Sequence, residues 1–202
     1  RLKSGDRGLS DMKRQSRPPT FAELYAPKLI TVLREGYGLA DFRADATAGV
    51  INMDSIIGEG AAKDFTISGV ARLGLLDLLI AEGTKLGRTY TPDPRTETGG
   101  FYRSDHFTLA KQGVPAISFK PGRDLANGGV ARGKALADAY TKDAYHQPAD
   151  EWSADWDLSA LKPDLTLLYN TGRALADSRA WPEWSADSEF KAKRDETAAA
   201  RK

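Results

Sequence analysis

Short apolar runs alternate with stretches of helical period along this chain, and that alternation limits the fold more than any other feature. Residues 29–33, 50–53, 64–68 and 114–119 each have the length and apolar content of a strand. The run 64–68 alternates its apolar residues with period 2, and residues 88–91 read as a further strand ending at Pro92. Between 71 and 86 the positions Leu73, Leu76, Leu79, Ile80 and Leu86 recur at helical spacing, with Gly87 placed to stop the helix. Ser104 is placed to cap a short helix reaching Gln112, with Gly113 just past its end. Asp157 opens a longer amphipathic helix carrying Leu158, Leu161, Leu165, Leu168 and Leu175. Strand and helix in alternation predict an α/β sandwich. The Gly- and Ala-rich run 121–145 reads as a long loop, of a length that marks functional or flexible segments.

A chain of 202 residues with 41% hydrophobic content buries one substantial core, so one domain is expected. The net charge of +1 argues against nucleic acid or an anionic membrane as an obligatory partner. Basic residues cluster at both ends (Arg1, Lys3, Arg7 and Lys191, Lys193, Arg194 among them) and read as solvated tails. No run approaches the roughly 20 apolar residues of a membrane helix. The chain begins at Arg1 with no signal-peptide pattern and reads as a fragment or processed product, which leaves its compartment open.

The chain has no cysteine, so disulfides and thiolate zinc ligands are excluded and a metal would need His and carboxylates. There are two histidines. His146 lies in Tyr145-His146-Gln147-Pro148-Ala149-Asp150, and His106 follows Ser104-Asp105. Asp54 closes the strand-like run 50–53, where open α/β sheets place ligand-binding groups. Its bland alternative is a turn aspartate bonded to nearby backbone; that of His146 is a surface loop histidine. A zinc ion would accept such a carboxylate and imidazole, and the second nitrogen of a ligating histidine usually meets a carboxylate. Asp105 and Asp150 both remain open for that part. Tyr145, beside a ligand, could direct its hydroxyl at a growing oxyanion. Consecutive Ser104-Asp105-His106 side chains diverge and cannot form a nucleophile relay. Gly99-Gly100 lacks the spacing of a phosphate loop.

Four segments in order, Ala48-Gly-Val-Ile-Asn-Met-Asp-Ser-Ile56, Phe101-Tyr-Arg-Ser-Asp-His-Phe107, Gly113-Val-Pro-Ala-Ile117 and Tyr145-His-Gln-Pro-Ala-Asp150, resemble the co-catalytic zinc aminopeptidases of peptidase family M28. That family also holds glutamate carboxypeptidases and glutaminyl-cyclase relatives. The resemblance implies a mixed, mostly parallel sheet flanked by helices, the zinc exopeptidase (phosphorylase/hydrolase-like) fold, here N-terminally incomplete. It implies two zinc ions at the C-terminal strand ends, one held by Asp54 and the other by His146. It implies that Tyr145 stabilises the tetrahedral intermediate and that Asp105 and His106 lie on a cleft-lining segment.

The family pattern also needs an earlier His-x-Asp and a Glu-Glu pair, and neither is present in this chain. Arg34-Glu35 stands where the pair would be, with Arg34 at the base position and an interval to Asp54 several residues short. The resemblance therefore divides the chain into a divergent or poorly ordered segment 1–46, the C-terminal part of a catalytic domain at 47–190 and a charged tail at 191–202. It implies a zinc-dependent exopeptidase removing N-terminal residues from a peptide, with part of its metal shell here, in a secreted or periplasmic setting. A peptidase-like binding domain without catalysis and a glutaminyl-cyclase-like aminoacyl transferase are the other two readings.

Overall fold

Short strands rich in β-branched and aromatic residues supply the sheet: β1 (Val50–Asn52), β2 (Asp64–Ile67), β3 (Thr89–Tyr90) and β4 (Ala116–Pro121). The computed structural model describes residues 43–54 and 59–201. The strand expected at 29–33, Glu35, the basic N-terminal cluster and Ser55-Ile56 lie outside the described residues. The strand order is β1-β4-β2-β3. β1 runs parallel to β4, with Val50 opposite Ala116 and Asn52 opposite Ser118. β2 runs antiparallel to β4, with Ile67 opposite Phe119, and parallel to β3, with Phe65 opposite Tyr90. The result is the α/β arrangement that the alternation predicts, and the mixed, helix-flanked sheet that the family resemblance implies.

β2 does not alternate inside and outside: all of its residues are buried. An interior strand covered on both faces loses its polar face, so even Asp64 and Thr66 are enclosed. Asp64 is satisfied by accepting the Asp124 backbone N–H at 2.8 Å. The core around β2 and β4 gathers Phe65, Ile67, Ile117, Phe119, Leu75, Leu79 and Leu167.

Helix α1 (Gly74–Lys85) packs its Leu75, Leu76 and Leu79 face inward, and Gly87, at φ +71°, follows it as expected. Gly83 on the same helix permits close approach to the sheet, since a Cβ there would lie 2.3 Å from Phe65 Cε1. Alanine at 83 gains about 1 kcal/mol of helix propensity. The Phe65 ring has little room to yield, being packed against Phe119, Tyr90 and the Arg88 guanidinium. Overpacking, at about 1–3 kcal/mol, should therefore prevail. Urea denaturation of Gly83→Ala is expected to show a net loss of stability; a raised midpoint would mean that the ring moves freely.

Helix α2 (His106–Ala110) is shorter than expected, and Ser104 does not cap it with its side chain. The Ser104 carbonyl accepts the Phe107 N–H at 3.1 Å, while its hydroxyl turns toward the Gly100 carbonyl. The largest departure is α3 (Gly129–Asp143), which occupies most of the expected loop 121–145. It escapes a search for large apolar residues because its buried positions are Gly133 and Ala137. A Cβ on Gly133 would meet the Arg123 carbonyl oxygen at 2.2 Å, so this helix packs through small residues and backbone.

Helix α4 (Leu161–Ala176) follows a single 3-10 turn, Leu158–Ala160, whose Ser159 N–H is accepted by Asp157 at 3.0 Å. The opening role of Asp157 is thus as expected. α4 packs on α1, and Asp164 in its first turn pairs with Arg88 at 2.6 Å inside the protein. Burial pushes the Asp164 carboxyl up, against the opposing pull of Arg88. Arg88 also donates to the Asp64 carbonyl at 2.7 Å, which ties the start of β2 to α4.

The charged tail is solvated along most of its length, but not at Arg194. Helix α5 (Lys191–Asp195) carries Arg194, which is 1% exposed and donates to the carbonyls of Thr47 and Pro182. Its guanidinium lies over Trp181, and burial draws its pKa down to about 10. Arginine tolerates this because its stem is apolar and its fork matches several carbonyls at once.

Candidate active site

Asp54 lies two residues past β1, which is clamped to β4 where Asn52 donates to the Ser118 hydroxyl at 3.3 Å. Its carboxylate is at the exposed end of the strand, as the strand-end argument requires. Its field reaches two neighbours at the start of α2, Asp105 and His106. Burial first, and then the Asp54 charge, raise the Asp105 carboxyl. His106 shows the opposite balance: burial pulls it down to about 4, against an upward pull from Asp54. The structure thus brings Asp54, Asp105 and His106 into one electrostatic neighbourhood.

His106 is not a cleft-lining residue. It is 1% exposed and meets Phe101 edge-on at 4.6 Å, inside an aromatic cluster with Phe107, Trp184 and Phe190. Neither ring nitrogen has a hydrogen-bond partner among the described residues. A neutral imidazole tolerates that enclosure better than a charged one, which accounts for the depressed pKa. Asp105, its neighbour in sequence, remains exposed.

Tyr145 and His146 leave the C-terminus of α3. The Tyr145 N–H closes on the Tyr140 carbonyl at 2.8 Å, and the next amides continue the turn, Gln147 to Ala144 and Asp150 to Gln147. His146 has φ +59°, the one positive value for a non-glycine residue among those described. Such a conformation is uncommon for a non-glycine side chain and is held by its surroundings. The imidazole stacks on the Tyr145 ring at 3.9 Å. It makes no hydrogen bond to Asp105 or Asp150 among the described residues. Asp150 instead accepts the Tyr140 hydroxyl at 3.0 Å. With burial, that bond pushes the Tyr140 phenol up to about 12. Asp150 therefore steadies the wall beside Tyr145.

Beside Tyr145 opens a cavity of about 320 Å³, whose walls include Tyr140, Glu59 and Arg123. Burial raises the Glu59 carboxyl, with Arg123 opposing. Neither Asp54 nor His146 is among the lining residues. Sequence reasoning missed this cavity, because one wall is a helix hidden in an apparent loop.

Zinc needs three or four converging donors. Asp54 and the histidines are of the right chemical type. Among the described residues, however, no three His, Asp or Glu side chains gather closely enough to hold a metal ion. The described residues alone do not make a complete zinc shell.

No helix among the described residues is long and apolar enough to cross a membrane. No curated protein and no solved structure matches the chain. The family model of peptidase family M28 does match, over residues 36–167, a span holding Asp54, Asp105, His106, Tyr145, His146 and Asp150. A match over well more than half of the chain, on a mixed α/β sheet flanked by helices, places this protein in peptidase family M28.

Proposed function

We propose that the protein acts as a zinc-dependent aminopeptidase, hydrolysing the N-terminal bond of a peptide substrate. Asp54 and His146 each supply one donor to a dinuclear zinc site whose remaining donors lie outside the described residues. The observation that carries this reading is the span of the family match, which takes in both the strand-end carboxylate and the Tyr145-His146 turn. Asp105 and His106 belong to the surroundings of Asp54, the field of which reaches both.

Tyr145 has a distinct part. Its ring is fixed by the helix-end turn and by the stack on His146, and it faces the cavity beside it. Its hydroxyl makes no hydrogen bond among the described residues and is therefore available as a donor to an oxyanion. Glu59 and Asp105, both raised by burial, are carboxyls poised to exchange protons nearer neutrality than an ordinary carboxyl.

Incubation with a free-amine peptide and its N-acetylated twin, followed by mass spectrometry, tests the activity. Release of the first residue from the free-amine peptide alone is expected. Conversion of N-terminal glutamine to pyroglutamate would favour the aminoacyl transferase instead, and inertness toward both peptides the binding domain.

Metal content gives an independent check. After dialysis, Asp54→Asn and His146→Ala are each expected to retain at most about one of two zinc ions, because each removes a donor from a site with few to spare. Two ions retained by both variants would remove these residues from the metal shell.

A further inference from the structure

The cavity beside Tyr145 carries an excess of positive charge that nothing else in the fold uses. Arg95, Arg103, Lys120 and Arg123 all line it. None of these side chains has a hydrogen bond or ion pair among the described residues. They converge from separate places in the chain. Arg95 precedes and Arg103 closes the pair of 3-10 turns that follow β3, Lys120 belongs to β4, and Arg123 lies just beyond it.

Two carboxylates share the lining, Glu59 and Asp93, and neither neutralises the group. Both Asp93 oxygens are taken by backbone amides, from Gly69 at 2.7 Å and Arg95 at 2.9 Å. Glu59 faces Arg123 only at long range, and its burial favours the uncharged form. Asp138, on α3, feels Arg95 and Arg123 but is bonded to Lys134.

Lys120 and Arg123 are half-buried and Arg95 and Arg103 exposed at the rim, and cations gathered around a concave space focus positive potential and attract an anion. Guanidinium forks match a carboxylate in geometry as well as charge. A volume of about 320 Å³ is at the small end of ligand pockets and suits one side chain with its adjoining backbone.

We propose that this cavity is a carboxylate-binding subsite that selects short anionic peptides, with Arg95, Arg103, Lys120 and Arg123 receiving the carboxylate. The carboxylate is either an acidic side chain or the peptide's own C-terminus. The proposal rests on the peptidase reading of Tyr145, which lines the same cavity.

Two measurements on the full-length protein as purified test it. In the first, kcat/KM is compared for Leu-Glu amide, Leu-Gln with a free C-terminus, and Leu-Gln amide. At least one anionic peptide should exceed the neutral amide by about tenfold or more, as a charge-assisted contact warrants. Which one exceeds it identifies the source of the carboxylate.

In the second, calorimetry measures the binding of glutarate and of glutaramide, which the enzyme cannot hydrolyse. Glutarate should bind about tenfold more tightly or better. The double variant Lys120→Gln/Arg123→Gln, checked for folding by circular dichroism, should lose that preference while binding glutaramide as before. Glutarate held by a metal ion would not depend on these two residues, so an undiminished preference in the variant overturns the subsite. Hydrolysis of all three peptides at equal rates also overturns it and leaves the peptidase reading standing. A cation-dependent glutarate preference with no hydrolysis of any peptide keeps the carboxylate site and removes the peptidase reading.

Discussion

Replacing Tyr145 by phenylalanine in the full-length protein should lower kcat by about 100-fold or more, the usual cost of removing one oxyanion donor. The substitution isolates the hydroxyl. Phenylalanine keeps the ring that stacks on His146 at 3.9 Å and keeps the wall shared with Tyr140. KM should change little, because a donor used only as charge develops does not contribute to ground-state binding. Zinc content and melting temperature should also hold, since the hydroxyl has no bond among the described residues to lose. An unchanged kcat would show that Tyr145 is a packing aromatic. A lost metal would show that it supports the turn around His146 and plays no part as a donor.

The second large effect concerns the fold. Asp164→Ala should destabilise the protein by about 3–5 kcal/mol, because it leaves a buried guanidinium without its counter-charge. Arg88 is enclosed and bonded to the Asp64 carbonyl, so it cannot swing out to water without breaking the hold on β2. The raised Asp164 carboxyl shows that burial of the charge is not fully offset even with Arg88 at 2.6 Å. The same logic predicts rescue. Arg88→Met with Asp164→Leu removes both charges and should recover most of the loss, as apolar replacements of buried pairs often do. Urea unfolding of the single and double variants measures both. A single variant within about 1 kcal/mol of wild type, in the range of exposed pairs, would mean that water reaches the pair.

The elements legible in the sequence were those with large side chains in a period. α1 and α4 carry leucines at helical spacing, and β4 is an apolar run long enough to read directly. α3 was not legible, because packing through Gly133 and Ala137 leaves no apolar stripe. Arg194 in the tail was misread for a related reason: it looks solvated in one dimension, yet the carbonyls of Thr47 and Pro182 enclose it in three. The position of Asp54 just past a strand end was legible, whereas Tyr145 and His146 read only as loop residues and the helix-end turn that holds them was not. The basic cavity was not legible either, because Arg95, Arg103, Lys120 and Arg123 are scattered in sequence and converge only through the crossover of β4 beside β2. His106 was legible as unusual but not as buried, since the ring it meets, Phe101, belongs to an aromatic cluster completed by the distant Trp184 and Phe190.

Diffraction from the zinc-loaded full-length protein, recorded on either side of the zinc absorption edge, tests most directly the proposal that Asp54 and His146 serve one metal centre. A pair of anomalous peaks is expected, one about 2.0–2.2 Å from an Asp54 carboxylate oxygen and the other about 2.0–2.1 Å from a His146 ring nitrogen. Peaks that avoid either side chain, or the two side chains found too far apart to serve one dinuclear centre, would contradict the proposal.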